Sequence, residues 1–118
     1  MKPQRVQLSR AKGWRMSPNA IKVDRTTRWG NPFVVGVHGT RAECVRYYEL
    51  MIGGFLTVSM ENVEAQQAYI EWGIDHIEEL RGKNLACWCP LPKAGESDIC
   101  HAAVLLRAAN RRRRKRAA

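Results

Sequence analysis

At 118 residues and 45% hydrophobic content the chain is long enough to bury one core and too short for two domains. No apolar run approaches the ~20 residues a membrane helix needs. The opening Met1-Lys2-Pro3-Gln4-Arg5 lacks the pattern of a secretory signal, so the expectation is a cytoplasmic protein whose four cysteines are reduced thiols rather than a disulfide framework. The net charge of +9 is unevenly spread: residues 1–28 carry +7, residues 29–110 carry −4 and residues 111–118 carry +6.

The N-terminal third carries strand and turn signals. Arg5-Val6-Gln7-Leu8-Ser9 alternates with Val6 and Leu8 inward, and Ala20-Ile21-Lys22-Val23-Asp24 repeats the pattern with Ile21 and Val23. A basic loop with glycine joins them. The basic side chains Arg5, Arg10, Lys12, Arg15, Lys22, Arg25 and Arg28, with Trp14 among them, read as a phosphate-facing surface or as a solvated sheet edge. Arg28-Trp29-Gly30-Asn31-Pro32-Phe33 follows. It combines an aromatic, a guanidinium and turn formers, a set suited to stacking on a base while Arg28 meets a phosphate, or to anchoring a loop on the core. Phe33-Val34-Val35-Gly36-Val37 is a third extended run, which with the strand described next brings the expected number to about four.

Thr40-Arg41-Ala42-Glu43 is a capping box, and Cys44, Val45, Tyr48, Met51 and Ile52 then recur at helical spacing until Gly53-Gly54. A longer helix is predicted over residues 62–80, ended by Gly82. Asn84-Leu85-Ala86-Cys87-Trp88-Cys89 reads as a buried strand, and alternate side chains of a strand share a face, so Cys87 and Cys89 point the same way with Trp88 opposite. After a loop, Ser97-Asp98 signals a helix start that places Cys100 and His101 in a first helical turn, where free N–H groups and the helix dipole favour anions and thiolates. The order of three helices around short strands predicts a single α/β domain over residues 1–110.

Three of the four cysteines therefore gather beside one histidine. Cys87, Cys89, Cys100 and His101 match the ligand count of a structural Cys3His zinc site, although Cys-x-Cys and an adjacent Cys-His pair are not the spacing of a finger or ribbon. A second reading makes Cys100 or His101 a catalytic nucleophile or acid–base group in a cleft at the carboxyl end of the strand, with Cys87 and Cys89 lining it. In the third, Cys87 and Cys89 are small buried hydrophobes. There is no Walker loop, Gly-x-Gly-x-x-Gly, His-Glu-x-x-His or Gly-x-Ser-x-Gly. The basic tail from residue 111, with Arg111, Arg112, Arg113, Arg114, Lys115 and Arg116, is suited to sequence-blind contact with nucleic acid or serves only solubility.

Arg5-Val6, Arg28-Trp29-Gly30-Asn31-Pro32-Phe33, Gly39-Thr40-Arg41, the run from Leu80 to Cys89 and Cys100-His101-Ala102 together resemble the domain of unknown function 4326 family of bacteria and their phages. The resemblance covers about residues 4–110 and implies a small Rossmann-like domain whose cysteine-histidine motif at a strand-to-helix junction is a ligand site. The family's last motif usually ends in Asp, and this chain has Ala103 there, a change that a binding role survives more easily than a catalytic one. Two functions follow as expectations, beside a purely structural or protein-binding role. One is a nucleotide- or nucleic-acid-recognising domain that acts on a nucleobase or nucleotide through Cys100 or His101. The other is a non-catalytic, zinc-stabilised DNA-binding accessory protein.

Overall fold

A computed structural model describes residues 3–111. A three-stranded parallel sheet of order β1-β3-β2 is formed by β1 (Arg5–Gln7), β2 (Ala20–Lys22) and β3 (Asn84–Cys87). Three helices accompany it: α1 (Arg41–Ile52), α2 (Val63–His76) and α3 (His101–Asn110). β3 runs between its partners in the register Val6–Ala86 and Ile21–Leu85. A strand paired on both edges and covered on both faces has no polar side to show, which is why Leu85, Ala86 and Cys87 are all buried and apolar.

Helix starts follow local chemistry. Thr40 accepts from the Glu43 amide at 3.2 Å while the Glu43 carboxylate accepts from the Thr40 amide at 3.0 Å, so the predicted capping box closes α1 at its N-terminus. The long second helix is shorter than its periodicity suggests: α2 stops at His76 and a 3-10 turn, Ile77–Leu80, carries the chain on to Gly82. Gly82 has φ +77, a left-handed value that admits glycine without strain and turns the chain into β3.

Two expectations need correction. Phe33 to Val37 is not a fourth strand. The His38 amide donates to the Val34 carbonyl at 2.8 Å and the Val34 amide donates to His38 Nδ1 at 2.7 Å, so this run closes on itself as a turn and pairs only through one Val35–Gly39 bridge. The sheet thus has three strands among the described residues. Arg5 also leaves the expected basic surface, because its side chain is buried in an ion pair with Asp98.

The core joins Tyr48 and Met51 of α1, Leu80 of the 3-10 turn, Leu85 of β3 and Leu105 of α3 with Val23, just after β2, and Phe33. Gln66 of α2 is a fully buried polar residue within this shell. Its amide spans the backbone of Thr57, accepting at 2.8 Å and donating at 3.2 Å, and so ties the α1–α2 connection to the helix.

Candidate metal centre

β3 and the start of α3 build the site. The strand ends at Cys87, two residues short of the predicted Cys89, yet the alternation carries on: the sulfurs of Cys87 and Cys89 lie 3.9 Å apart while Trp88 turns away to Asp24. Cys100 arrives from the far end of the loop 88–99 as the residue capping α3, with extended φ −151 and ψ 142, and His101 is the first helical residue. The sulfurs of Cys87, Cys89 and Cys100 all lie within 4.8 Å of one another. Cys44, the remaining cysteine, belongs to α1 and the core.

What brings Cys100 into place is a buried clamp. Arg5 Nε donates to Asp98 Oδ2, and its Nη2 donates to the Pro90 carbonyl at 2.6 Å. One guanidinium thereby grips both ends of the loop between Cys89 and Cys100. The Asp98 carboxylate does not cap the helix that Ser97-Asp98 signals; it faces Arg5, and Cys100 takes the cap position without a side-chain hydrogen bond. Arg41 fastens the same loop from α1, donating to the Ile99 carbonyl at 2.9 Å.

The imidazole of His101 does not join the sulfur group. Its Nε2 donates to the Val23 carbonyl at 2.6 Å, while Nδ1 lies 4.0 Å from Cys100 Sγ. With Nε2 carrying the proton, Nδ1 keeps its lone pair and faces the thiols. Burial lowers the pKa of His101, although the hydrogen bond to Val23 opposes the shift, and the ring is neutral.

The thiols divide their protons unequally. Cys89 receives hydrogen bonds from Cys100 and Cys87 and lies near the Arg41 cation, which holds its thiol well below the usual range. Cys100, donating to Cys87 and Cys89 in a buried position, is pushed far up. Cys100 is 1% exposed and His101 6%, so the two groups expected to react directly with a substrate are enclosed, and half-buried Cys89 is the accessible member.

The other expected contacts lie elsewhere. Arg28 is exposed and stacks over Trp72 at 4.5 Å, and His76 stacks on the same indole at 4.6 Å. Trp29 is buried against Trp72 at 4.4 Å. Its carbonyl accepts from Tyr48 Oη at 2.7 Å, and Tyr48 packs edge-on to His101 at 5.3 Å, which is the link between this segment and the cysteines. Asn31 is buried, donating to the Cys44 carbonyl at 3.2 Å and accepting from the Phe33 amide at 2.9 Å. At Gly30 a Cβ would lie 2.6 Å from Arg25 Cα, so glycine is required by close backbone approach. The segment from Arg28 to Phe33 thus anchors a loop. Arg111 is exposed at the end of α3, and Arg112, Arg113, Arg114, Lys115 and Arg116 lie outside the described residues.

A group that sequence reading missed stands on the other side of β3. The Trp88 indole donates to Asp24 Oδ2 at 2.8 Å and Arg10 covers its ring at 4.9 Å. Burial pushes the Asp24 carboxyl up, but hydrogen bonds from Thr26 and Trp88 and the charge of Lys22 outweigh it, and the pKa is lowered. The signal was the outward position of Trp88 just after β3, beside the segment after β2 that carries Asp24.

No curated protein and no solved structure matches the chain. The family model of the domain of unknown function DUF4326 matches residues 6–111, a span that includes the sheet but for Arg5, all three helices and the three clustered cysteines. The chain belongs to the DUF4326 family.

Proposed function

We propose that this protein is a non-catalytic accessory domain of bacterial or phage origin, held together by a zinc ion on Cys87, Cys89 and Cys100, that binds nucleic acid through its basic ends. The observation that carries the reading is the convergence of three sulfurs within 4.8 Å. Tetrahedral zinc with Zn–S near 2.3 Å needs sulfurs about 3.8 Å apart. The 3.9 Å between Cys87 and Cys89 fits that spacing. Thiolate donors are the soft ligands that select zinc among common divalent ions. His101, whose Nε2 donates to the Val23 carbonyl, stands beside the three sulfurs rather than among them.

The ion would hold the loop 88–99 to the sheet, and Arg5, Asp98 and Arg41 would position that loop before metal arrives. Enclosure of Cys100 and His101 favours binding over catalysis. A Rossmann-like sheet would take its ligand at the carboxyl ends of the strands, where Trp88 meets Asp24 and Arg10, and Lys12 and Arg15 in the loop between β1 and β2 are exposed. Those cations and the arginine-rich end supply positive charge for phosphates.

Native mass spectrometry at neutral pH, paired with fluorescence polarisation on a short DNA duplex, tests both halves. One bound zinc per chain that leaves on chelation or in Cys89→Ser, together with DNA affinity that falls steeply with salt, is the expected outcome. A fully folded, metal-free protein removes the zinc reading, and salt-independent or absent DNA binding removes the nucleic-acid reading.

A further inference from the structure

The three clustered sulfurs differ in how far solvent reaches them. Cys87 is 4% exposed and Cys100 1%, whereas Cys89 is only half-buried. All three sulfurs lie within 4.8 Å of one another. One reachable thiol backed by two enclosed ones is the arrangement in which an oxidant attacks the first and a neighbour resolves the product.

The surroundings choose the resolving thiol. Only Trp88 separates Cys87 from Cys89, and its indole is fixed by the hydrogen bond to Asp24 at 2.8 Å and by Arg10 stacked on its ring. A bond between Cys87 and Cys89 would close a small ring through that one anchored residue. Cys100 comes from beyond the loop 90–99, so its bond to Cys89 closes through a long segment instead. Arg5 already holds this segment near both ends, donating to the Pro90 carbonyl beside Cys89 and to the Asp98 carboxylate two residues before Cys100. The clamp thus keeps within 4.8 Å two sulfurs that close to ~2.05 Å when they bond.

We propose that Cys89 is a site of oxidation by hydroperoxides and that Cys100 resolves it, forming a Cys89–Cys100 disulfide that replaces the metal centre. In the first step the Cys89 sulfur attacks one peroxide oxygen, the O–O bond breaks, and the thiol and hydrogen peroxide give a sulfenic acid and water. In the second the Cys100 sulfur attacks the Cys89 sulfur: the S–S bond forms, the S–O bond breaks, and the hydroxide leaves as water with the Cys100 proton. The two sulfurs together lose two electrons and the peroxide gains them. A disulfide sulfur is no longer a thiolate donor, so two of the three zinc ligands are lost while the new bond keeps the loop ends together. The loss of zinc rests on the metal reading above, whereas the disulfide needs only the thiols.

Hydrogen peroxide in modest molar excess over the folded, reduced, zinc-loaded chain tests this by mass spectrometry. The chain should lose two hydrogens in mass, and an unreduced tryptic digest should join peptide 84–93, which holds Cys87 and Cys89, to peptide 94–107, which holds Cys100, with fragmentation placing the link on Cys89. Cys44, buried in α1, should remain a free thiol, and a chromogenic chelator should report zinc released in step with the disulfide. Because the reachable thiol is the one attacked, Cys89→Ser should be oxidised at least about tenfold more slowly, and in Cys100→Ser dimedone should trap the sulfenic acid on Cys89. A folded, reduced chain that forms no disulfide overturns the proposal, as does a link confined to peptide 84–93 or a Cys89→Ser variant oxidised as fast as wild type. A chain that never held metal yet forms the Cys89–Cys100 link upholds the oxidation site and removes the zinc reading, and zinc-loaded protein that forms no link does the reverse.

Discussion

Replacing Arg5 with Met strands the Asp98 carboxylate. The Arg5 side chain is 4% exposed and that of Asp98 19%, so the pair is out of reach of solvent screening on one side and only partly screened on the other. Breaking a buried ion pair by removing one partner costs ~3–5 kcal/mol, and the residual exposure of Asp98 places this pair near the lower end, at about 3 kcal/mol. The Pro90 carbonyl also loses its donor, which adds about 1 kcal/mol. The sum, about 4 kcal/mol, is a large part of the 5–15 kcal/mol that holds a typical domain and corresponds to a melting temperature lower by roughly 15 °C. Arg5→Met with Asp98→Leu leaves no charge stranded. Because Arg5 Nη1 and Asp98 Oδ1 find no partner even in the native pair, the double variant should recover to within about 1–2 kcal/mol of wild type. Guanidinium denaturation followed by circular dichroism, with unchanged slope, measures the cycle. A single variant within 1 kcal/mol of wild type, or a double variant as weak as the single, would refute the clamp. The single variant should also hold metal less tightly, since the clamp is what brings Cys100 to Cys87 and Cys89.

Three other outcomes follow from the same contacts. Gly30→Ala puts a methyl 2.6 Å from Arg25 Cα, a backbone atom that cannot swing aside, and should destabilise by about 1–3 kcal/mol in thermal melts. The Asp24 carboxyl is lowered in the folded state, so its contribution is fully present above the unfolded pKa and disappears as pH falls below ~4; stability measured from pH 6 down to 2 should show a shallower acid limb in Asp24→Asn than in wild type, and parallel limbs would exclude the role. Deleting residues 112–118 removes Arg112, Arg113, Arg114, Lys115 and Arg116; if each of these five contacts a phosphate, the log–log salt slope of duplex binding should flatten by roughly 4–5, and an unchanged slope would show the tail idle.

Much of this architecture was legible in the chain because local signals and tertiary structure agreed. The Thr40–Glu43 box, the Gly82 turn and the alternation of Cys87, Trp88 and Cys89 each depend on neighbours within a few residues. Contacts distant in sequence were not legible. Arg5 and Asp98 lie 93 positions apart, and nothing in a basic N-terminal strand distinguishes the one arginine that turns inward from those that face water. Val34-Val35 reads as a strand by composition, yet the His38 ring and Gly36 at φ +88 bend it into a turn. The Arg28–Phe33 segment reads either as a ligand contact or as a loop anchor, because aromatic and amide side chains serve either purpose; the contacts of Trp29 with Trp72 and Tyr48 and of Asn31 with Cys44 join sequence-distant residues and fit the anchor. At the site itself, the convergence of three thiols was foreseeable, whereas the turn of His101 Nε2 toward Val23 required the partner strand to be in place.

The claim that Cys87, Cys89 and Cys100 form one metal-binding unit is tested most directly by titrating the reduced, metal-free protein with cobalt(II) and recording its visible and near-ultraviolet absorption. Saturation at one equivalent, with thiolate-to-cobalt charge transfer and the strong bands of tetrahedral coordination, both displaced by zinc and weakened in Cys89→Ser, is the predicted spectrum. Weak octahedral bands, or no uptake by protein that is folded and fully reduced, would contradict it.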